Sequence, residues 1–252
     1  MAHVLELQSE AFGLIDVPVL CQELRNLGGG DALDIGTGEG SFLLKLAAAS
    51  PQLDFLGIER DPDLLELAQS RLRRVALPNV RFEQSTFGSH YRRQHDVVLS
   101  RFTLQHVGEP QEFVRSVHAT LRPGGRFVCI EPVYDYYDCD PPQAVWREFR
   151  ARMLATYERW KGHPNIPKQI GPWLWESGFV SVRTAVHLYS PVTIGRDRFQ
   201  RVVLATAIMM HGDQRDVWDR RFLKQLERWM QSLSADPFMA IAHIVASVPT
   251  GG

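Results

Sequence analysis

An α/β fold organised as a doubly wound, mostly parallel sheet is predicted by three features of the chain. Short apolar runs alternate with amphipathic stretches from Asp31 to about Pro132, the pattern of successive strand–helix units. The first run, Ala32-Leu33-Asp34-Ile35, breaks into the glycine turn Gly36-Thr37-Gly38-Glu39-Gly40, which leads straight into the helical pattern Ser41-Phe42-Leu43-Leu44. The length, 252 residues, suits one α/β domain with insertions.

Composition bounds the function. Apolar residues make up 44% and charged residues 23%, an ordinary globular balance. The net charge of −1 gives no global field to draw in nucleic acid or an anionic membrane. Cys21, Cys129 and Cys139 lie far apart with no C-x-x-C pair, which suits a reducing compartment and offers no zinc site. The first residues lack a basic start followed by an apolar core, and no apolar run approaches membrane-spanning length. A cytoplasmic protein, monomeric or homodimeric, without nucleic-acid or membrane partners, is expected.

The elements follow in order. Asp16 to Leu27 reads as a helix, with Pro18 in its first turn and Gly28-Gly29-Gly30 as its stop. The glycine loop comes next. Its G-x-G-x-G spacing is neither the G-x-G-x-x-G of dinucleotide sites nor the lysine-bearing loop that cradles phosphates. Asp34, at the strand end, would repel phosphate but suits a ligand with a cationic amine. Phe42 to Ser50 continues as a helix, and Asp54 to Glu59 as a second strand. A carboxylate at that tip can accept two hydrogen bonds from a ribose diol. Asp61-Pro62 caps a helix with Leu64, Leu65, Ala68 and Leu72 inward. Strands over Asn79–Glu83 and Gln94–Ser100, a helix over Glu109–Leu121, the turn Leu121-Arg122-Pro123-Gly124-Gly125 and a strand over Arg126–Glu131 complete the first half.

The loop Asp34-Ile35-Gly36-Thr37-Gly38-Glu39-Gly40 and the later L-x-P-G-G turn resemble, in order and spacing, the class I S-adenosylmethionine-dependent methyltransferases, whose first motif reads [DE]-x-G-x-G-x-G. The resemblance covers Asp31 to about Pro132. It implies a seven-stranded sheet with helices on both faces, whose last strand, here Phe238–Val248, runs antiparallel beside the fifth. It implies S-adenosylmethionine as cofactor, held by Asp34, Gly36, Thr37, Gly38 and Gly40, by Glu59 and Arg60, and by Ser100 and Arg101 at the fourth strand end. Ser85, Thr86 and Phe87 fall where the family commonly has an adenine-binding Asp, so this chain departs there. It also carries Ser100-Arg101-Phe102-Thr103-Leu104-Gln105 in place of N-P-P-Y, which argues against methylation of nucleobase amines.

The second half is where the resembling family varies. Helices are predicted over Gln143–Lys161, around Trp173 and Trp175 up to Gly178, over Arg196–His211 and over Asp216–Leu233, with a strand over Phe179–Tyr189. One domain, 1–252, is expected, with a cofactor core over 31–132. The additions 143–178 and 196–234 carry the tryptophans and would form an apolar lid suited to a small aromatic or hydrophobic methyl acceptor. Catalytic candidates are His106, whose ordinary pKa suits proton abstraction, and Tyr134. Glu131, Tyr134, Tyr137 and Trp173 are candidates to line the acceptor pocket. No carboxylate cluster suggests a metal. The rival readings are a methyltransferase for protein or RNA, a cofactor-binding regulator, and an enzyme that uses the bound sulfonium for a different reaction.

Overall fold

The computed structural model describes residues 1–25, 27–91, 93–232 and 234–250. Five strands run parallel: β1 (Gly30–Ile35), β2 (Leu53–Glu59), β3 (Val80–Gln84), β4 (His95–Arg101) and β5 (Leu121–Pro132). β6 (Asp138–Asp140) is a three-residue strand, and β7 (Ser181–Tyr189) and β8 (Asp236–Ser247) close the set. The order is β3-β2-β1-β4-β5-β8, with β7 on the far side of β8 and β6 paired to the start of β8. β8 runs antiparallel to both β5 and β7. The doubly wound sheet predicted from the alternation is therefore present, with β6 as an eighth, short strand.

From β1 the chain steps outward to β2 and β3, then returns to β4 on the other side of β1. The crevice at the carboxyl end of β1 is thus the topological switch point, where such sheets bind ligands. Right-handed crossovers put α2 (Ser41–Ala49) and α3 (Pro62–Val75) on one face and α4 (Pro110–Thr120) on the other. The contacts agree: α2 packs on α3, and α4 packs on α6 (Ile170–Glu176). α3 starts as its sequence predicts, with Asp61 accepting from the backbone N–H groups of Asp63 and Leu64 at 2.9 and 3.2 Å. The remaining helices are α5 (Ala144–Trp160), α7 (Pro191–Ile194), α8 (Arg196–Asp213) and α9 (Arg220–Ser232). Leu233, the predicted last residue of the α9 pattern, lies outside the described residues. No helix among the described residues is long and apolar enough to cross a membrane.

The first helix departs most from expectation. α1 spans Ala2–Leu24 rather than beginning at Asp16, and Pro18 sits in its interior. Proline there removes the N–H that would bond the Leu14 carbonyl. Leu14 is exposed, so water can serve that carbonyl and the helix continues. α1 packs on α2 and α8 and buries Val4, Leu7, Ala11, Phe12, Leu20 and Leu24.

A buried polar cluster fastens α1 to the sheet. Asp16, fully buried, accepts from Arg101 Nε at 2.8 Å, from His243 Nε2 at 3.0 Å and from the Tyr189 hydroxyl. Burial alone would raise the Asp16 pKa. The Arg101 charge and the His243 bond outweigh it, so the carboxyl titrates below its ordinary value. The group therefore adds stability above the unfolded carboxylate range, and that stability is lost as pH falls through the lowered pKa. Asp16→Ala leaves a buried arginine unpaired and is expected to cost about 3–5 kcal/mol. Denaturant unfolding of the variant checks this; a loss under about 1 kcal/mol would mean that the cluster is not what holds α1.

Candidate active site

The glycine loop is shaped by contacts from three sides. Gly36 N and Thr37 N both donate to Ile58 O, at 3.0 and 3.1 Å, tying the loop to β2. Gly36 has a φ of +72°, and a Cβ there would lie 2.7 Å from Thr103 Oγ1. Gly40 has a φ of +80°, and its Cβ would lie 2.8 Å from both Ala68 Cβ and Phe82 Cζ. Only glycine meets both demands at these two points. Glu59, at the β2 tip, accepts from Gly38 N at 2.9 Å through Oε2 and from Arg60 N and Asp61 N at 2.8 and 3.0 Å through Oε1. A carboxylate offers about four lone-pair sites, so one on Oε2 remains for a further donor.

Asp34 is 3% exposed and joins no ion pair among the described residues. Burial pushes its pKa up to about 6, against the opposing pull of the Thr37 hydroxyl and the Arg101 charge. A buried carboxylate without its own cation, beside a glycine-paved turn, is a fitting seat for a ligand ammonium. The residues present thus fit the amino and ribose groups of S-adenosylmethionine.

Two cavities meet above this loop. The larger, about 670 Å³, is open and runs along the carboxyl ends of β1, β2 and β3, with Gly36, Glu59, Arg60, Ser85, Thr86 and Phe87 in its wall. The smaller, about 120 Å³, is more enclosed and apolar, and is walled by α1, α5, α8 and the segment after β5. Val4 and Phe12, Phe149 and Met153, Tyr134 and Tyr137 contribute to it. Met1, Phe102, His106 and Trp160 border both cavities.

The predicted site residues divide accordingly. Gly36, Glu59, Arg60, Ser85, Thr86 and Phe87 come together at the open cavity, and Asp34, Thr37, Gly38 and Gly40 form the loop beside it. Ser100 and Arg101 line neither cavity. Ser100 is buried inside β4, and the Arg101 guanidinium turns to Asp16 and lies 4.3 Å from the ring centroids of both Phe42 and Phe102. Trp173 also stands apart, because α6 packs on α4 away from both cavities. Glu131 is fully buried and faces inward, where Oε1 accepts from Thr103 N at 2.9 Å and Leu104 N at 2.7 Å. It holds the turn that carries His106 and does not line the acceptor cavity.

His106 and Tyr134 do lie at the smaller cavity. The His106 ring stacks on Tyr157 at 5.4 Å, with Trp160 at 6.0 Å, while one edge opens to the cavities. Packing of the ring against Tyr157 and Trp160, with the Arg60 charge adding to it, lowers its pKa below the ordinary value, so the imidazole is neutral at pH 7 although the residue as a whole stays exposed. Burial instead raises the Tyr134 and Tyr157 phenols well above their ordinary value. Tyr134 is therefore a neutral donor, bonded to Tyr157 Oη at 3.3 Å, and no base at neutral pH. Sequence reasoning missed Phe102, Gln105 and the α1 residues Val4, Leu5 and Phe12, which read as ordinary core. Phe102 has a φ of +53°, a left-handed turn that seats its ring between the cavities.

Residues 28–176 match the family described as a methyltransferase domain. The chain is 29% identical over 228 residues to a 37.1 kDa protein of transposon TN4556 from Streptomyces fradiae, covering 87% of this chain and 62% of that one. It is 27% identical over 194 residues to the Bacillus subtilis methyltransferase YcgJ, covering 66% of this chain and 74% of the relative. The crystal structure of YcgJ superposes with a TM-score of 0.57 over 93% of this chain and 98% of that one. The [4+2]-cyclase SpnF superposes at 0.65, with 18% identity, over 94% of this chain and 82% of that one, a likeness of fold.

The Glu131 carboxyl carries a testable consequence. Burial raises its pKa to about 8, against the pull of the backbone donors of Leu104, Thr103 and Gln105. A folded pKa above the unfolded one means that stability falls as pH rises from about 4 to about 8. Glu131→Gln removes that slope while keeping an acceptor for the turn. Urea unfolding at pH 5.5 and at 8.5 should show the variant gaining on the parent at the higher pH, and equal gaps at both would refute the assignment.

Proposed function

Since the chain belongs to the class I S-adenosylmethionine-dependent methyltransferases, we propose that it transfers the methyl group of S-adenosylmethionine to a small, largely apolar acceptor held in the enclosed cavity. The observation that carries this is the shared wall. An open cavity on the glycine loop and an apolar cavity under the helices meet at Met1, Phe102, His106 and Trp160. A partly enclosed aromatic cavity of about 120 Å³ suits a small molecule better than a segment of protein or RNA.

On this reading Asp34 receives the cofactor's amino group and Glu59 offers its remaining lone pair to the ribose. Ser85, Thr86 and Phe87 flank the adenine. When bound, S-adenosylmethionine supplies an electrophilic methyl on a positive sulfur. The protein's own task is to hold the nucleophile in line and keep water out. α1, α5 and α8 exclude water. Neutral His106, at the junction, accepts a hydrogen bond from an acceptor that enters protonated and orients it toward the methyl group, its lowered pKa making it a positioning group and a weak base. The Tyr134 and Tyr157 phenols stay protonated. The segments 143–178 and 196–234 act as the lid through α5 and α8.

Calorimetric titration with S-adenosylmethionine and S-adenosylhomocysteine, with NAD as control, tests the cofactor. Binding of NAD alone, or of none, would overturn the reading. Affinity for S-adenosylhomocysteine should be flat above about pH 6.5 and weaken by up to about tenfold per unit below pH 6, as Asp34 protonates. Asp34→Asn should bind weakly with no such pH dependence; a persisting slope would place the titrating group elsewhere. Glu59→Ala should lose about 1–3 kcal/mol of cofactor affinity in the same titration. With an acceptor in hand, His106→Ala should lower kcat well beyond any change in cofactor affinity. Equal losses in both would make the ring structural.

A further inference from the structure

We propose that the outer edge of β7 is an interface with a second copy of this chain. The two β7 strands pair antiparallel about a two-fold axis at Ala185, joining two sheets into one. This is independent of the methyl-transfer reading.

β7 lies beyond β8 at the end of the sheet, and among the described residues β8 is its one sheet partner. An edge strand points the N–H and C=O of every second residue away from the sheet, where water or another strand must take them. Six of the nine residues are exposed, among them Val186 at 45% and Leu188 at 47%. Soluble chains blunt such an edge with a lysine, a proline, a bulge or a covering element. β7 has no lysine or proline, and its register with β8 runs unbroken from Ser181 to Tyr189. Its one arginine, Arg183, is turned to Glu23 on α1 at 2.6 Å. The Thr193 hydroxyl donates to Leu188 O at 3.0 Å near the far end, and that carbonyl keeps a second lone pair.

Self-complementarity favours a second copy over a foreign strand. In a two-fold interface, whatever residue i meets on the other copy meets residue i in return. Residues directly opposite in an antiparallel pair share a face of the sheet, so the axis must pass through a residue. Only Ala185, the middle of the strand, brings all nine residues into the pair. That register sets Val182 opposite Leu188 of the second copy and Thr184 opposite its Val186, and symmetry repeats each pair. One face of the joint is therefore a row of aliphatic and β-branched contacts, made from side chains that the single chain leaves largely in water. On the other face the small Ala185 meets its own copy. Arg183 stands opposite His187, which partial burial and the neighbouring His243 keep neutral, so no like charges face each other. The antiparallel sense also gathers exposed Val180 of one chain and exposed Val192 of the other at the same end of the pair.

Analytical ultracentrifugation of the full chain over a dilution series tests this. At the concentrated end the parent should sediment at twice its chain mass of 28.7 kDa. Ala185→Glu and Ala185→Lys each set two like charges face to face on the axis, and each variant alone should be monomeric. Mixed in equal amounts they should regain the dimer, because the charges on the axis are then opposite in sign. Ala185 is exposed, so the single chain has room for either side chain, and thermal melts that match the parent confirm folding. A parent of any mass but the dimer's would overturn the proposal. So would single variants that dimerise like the parent, or a mixture that stays monomeric.

Discussion

The turn that leaves β4 is held by one buried carboxylate, and the site depends on it. Glu131 Oε1 gathers the N–H groups of Thr103 and Leu104, donors that would otherwise be orphaned beneath the sheet end. Thr103 is thereby pressed against Gly36, close enough that no side chain could stand at that glycine. The same turn carries Gln105 into the enclosed cavity and His106 to the border between the two cavities. A buried acid at the end of β5 thus sets the distance between the glycine loop and the wall of the acceptor cavity. Its raised pKa is the cost of that position.

α1 is the second half of the same construction. Its early residues roof the enclosed cavity, while Asp16 further along is fixed by Arg101, Tyr189 and His243. Those partners come from β4, β7 and β8, so the roof is registered against the sheet itself. Arg71 adds a clasp between Glu6 on α1 and Glu39 in the glycine loop. These contacts explain why Arg101 does not face the cofactor cavity. A guanidinium at a strand end can serve either a ligand or a buried aspartate, and here Asp16 claims it.

Local patterns foretold the sheet well, because strand–helix alternation, caps and the L-x-P-G-G turn are written in contiguous residues. The succession of strands along the chain and the glycine loop followed from them, while the antiparallel place of β8 beside β5 followed from the family resemblance. The lengths that failed were those set by tertiary packing. α1 mixes polar and apolar residues around its circumference, with Ser9 and Asp16 buried and Leu14 exposed, so its first half shows no clean helical stripe, and Pro18 reads as a start rather than an interior residue. β6 is three residues long and exists only through its pairing with β8. The site was legible at the strand ends, where position alone brings residues together. It was not legible on the helices: Trp173 and Tyr157 look alike as aromatic positions, and only the docking of α6 on α4 and of α5 over the cavity separates them.

Asp34 and Glu131 are both buried carboxyl groups with raised pKa values, and yet their surroundings differ. Glu131 is supplied with internal N–H donors on Oε1, while Oε2 is buried without a partner and the carboxyl, with its pKa raised to about 8, is mostly protonated at neutral pH, so its effect is on the shape of the turn. Asp34 stands beside a loop whose N–H groups at Gly36, Thr37 and Gly38 are already spent on Ile58 and Glu59. It joins no ion pair among the described residues, and the Thr37 hydroxyl and the Arg101 charge only partly offset its burial, so with a pKa of about 6 it is ionised at neutral pH at the fold's expense. A charge compensated only in part is relieved by a cation from outside. The acid that serves the fold and the acid that serves the ligand are thus told apart by their partners.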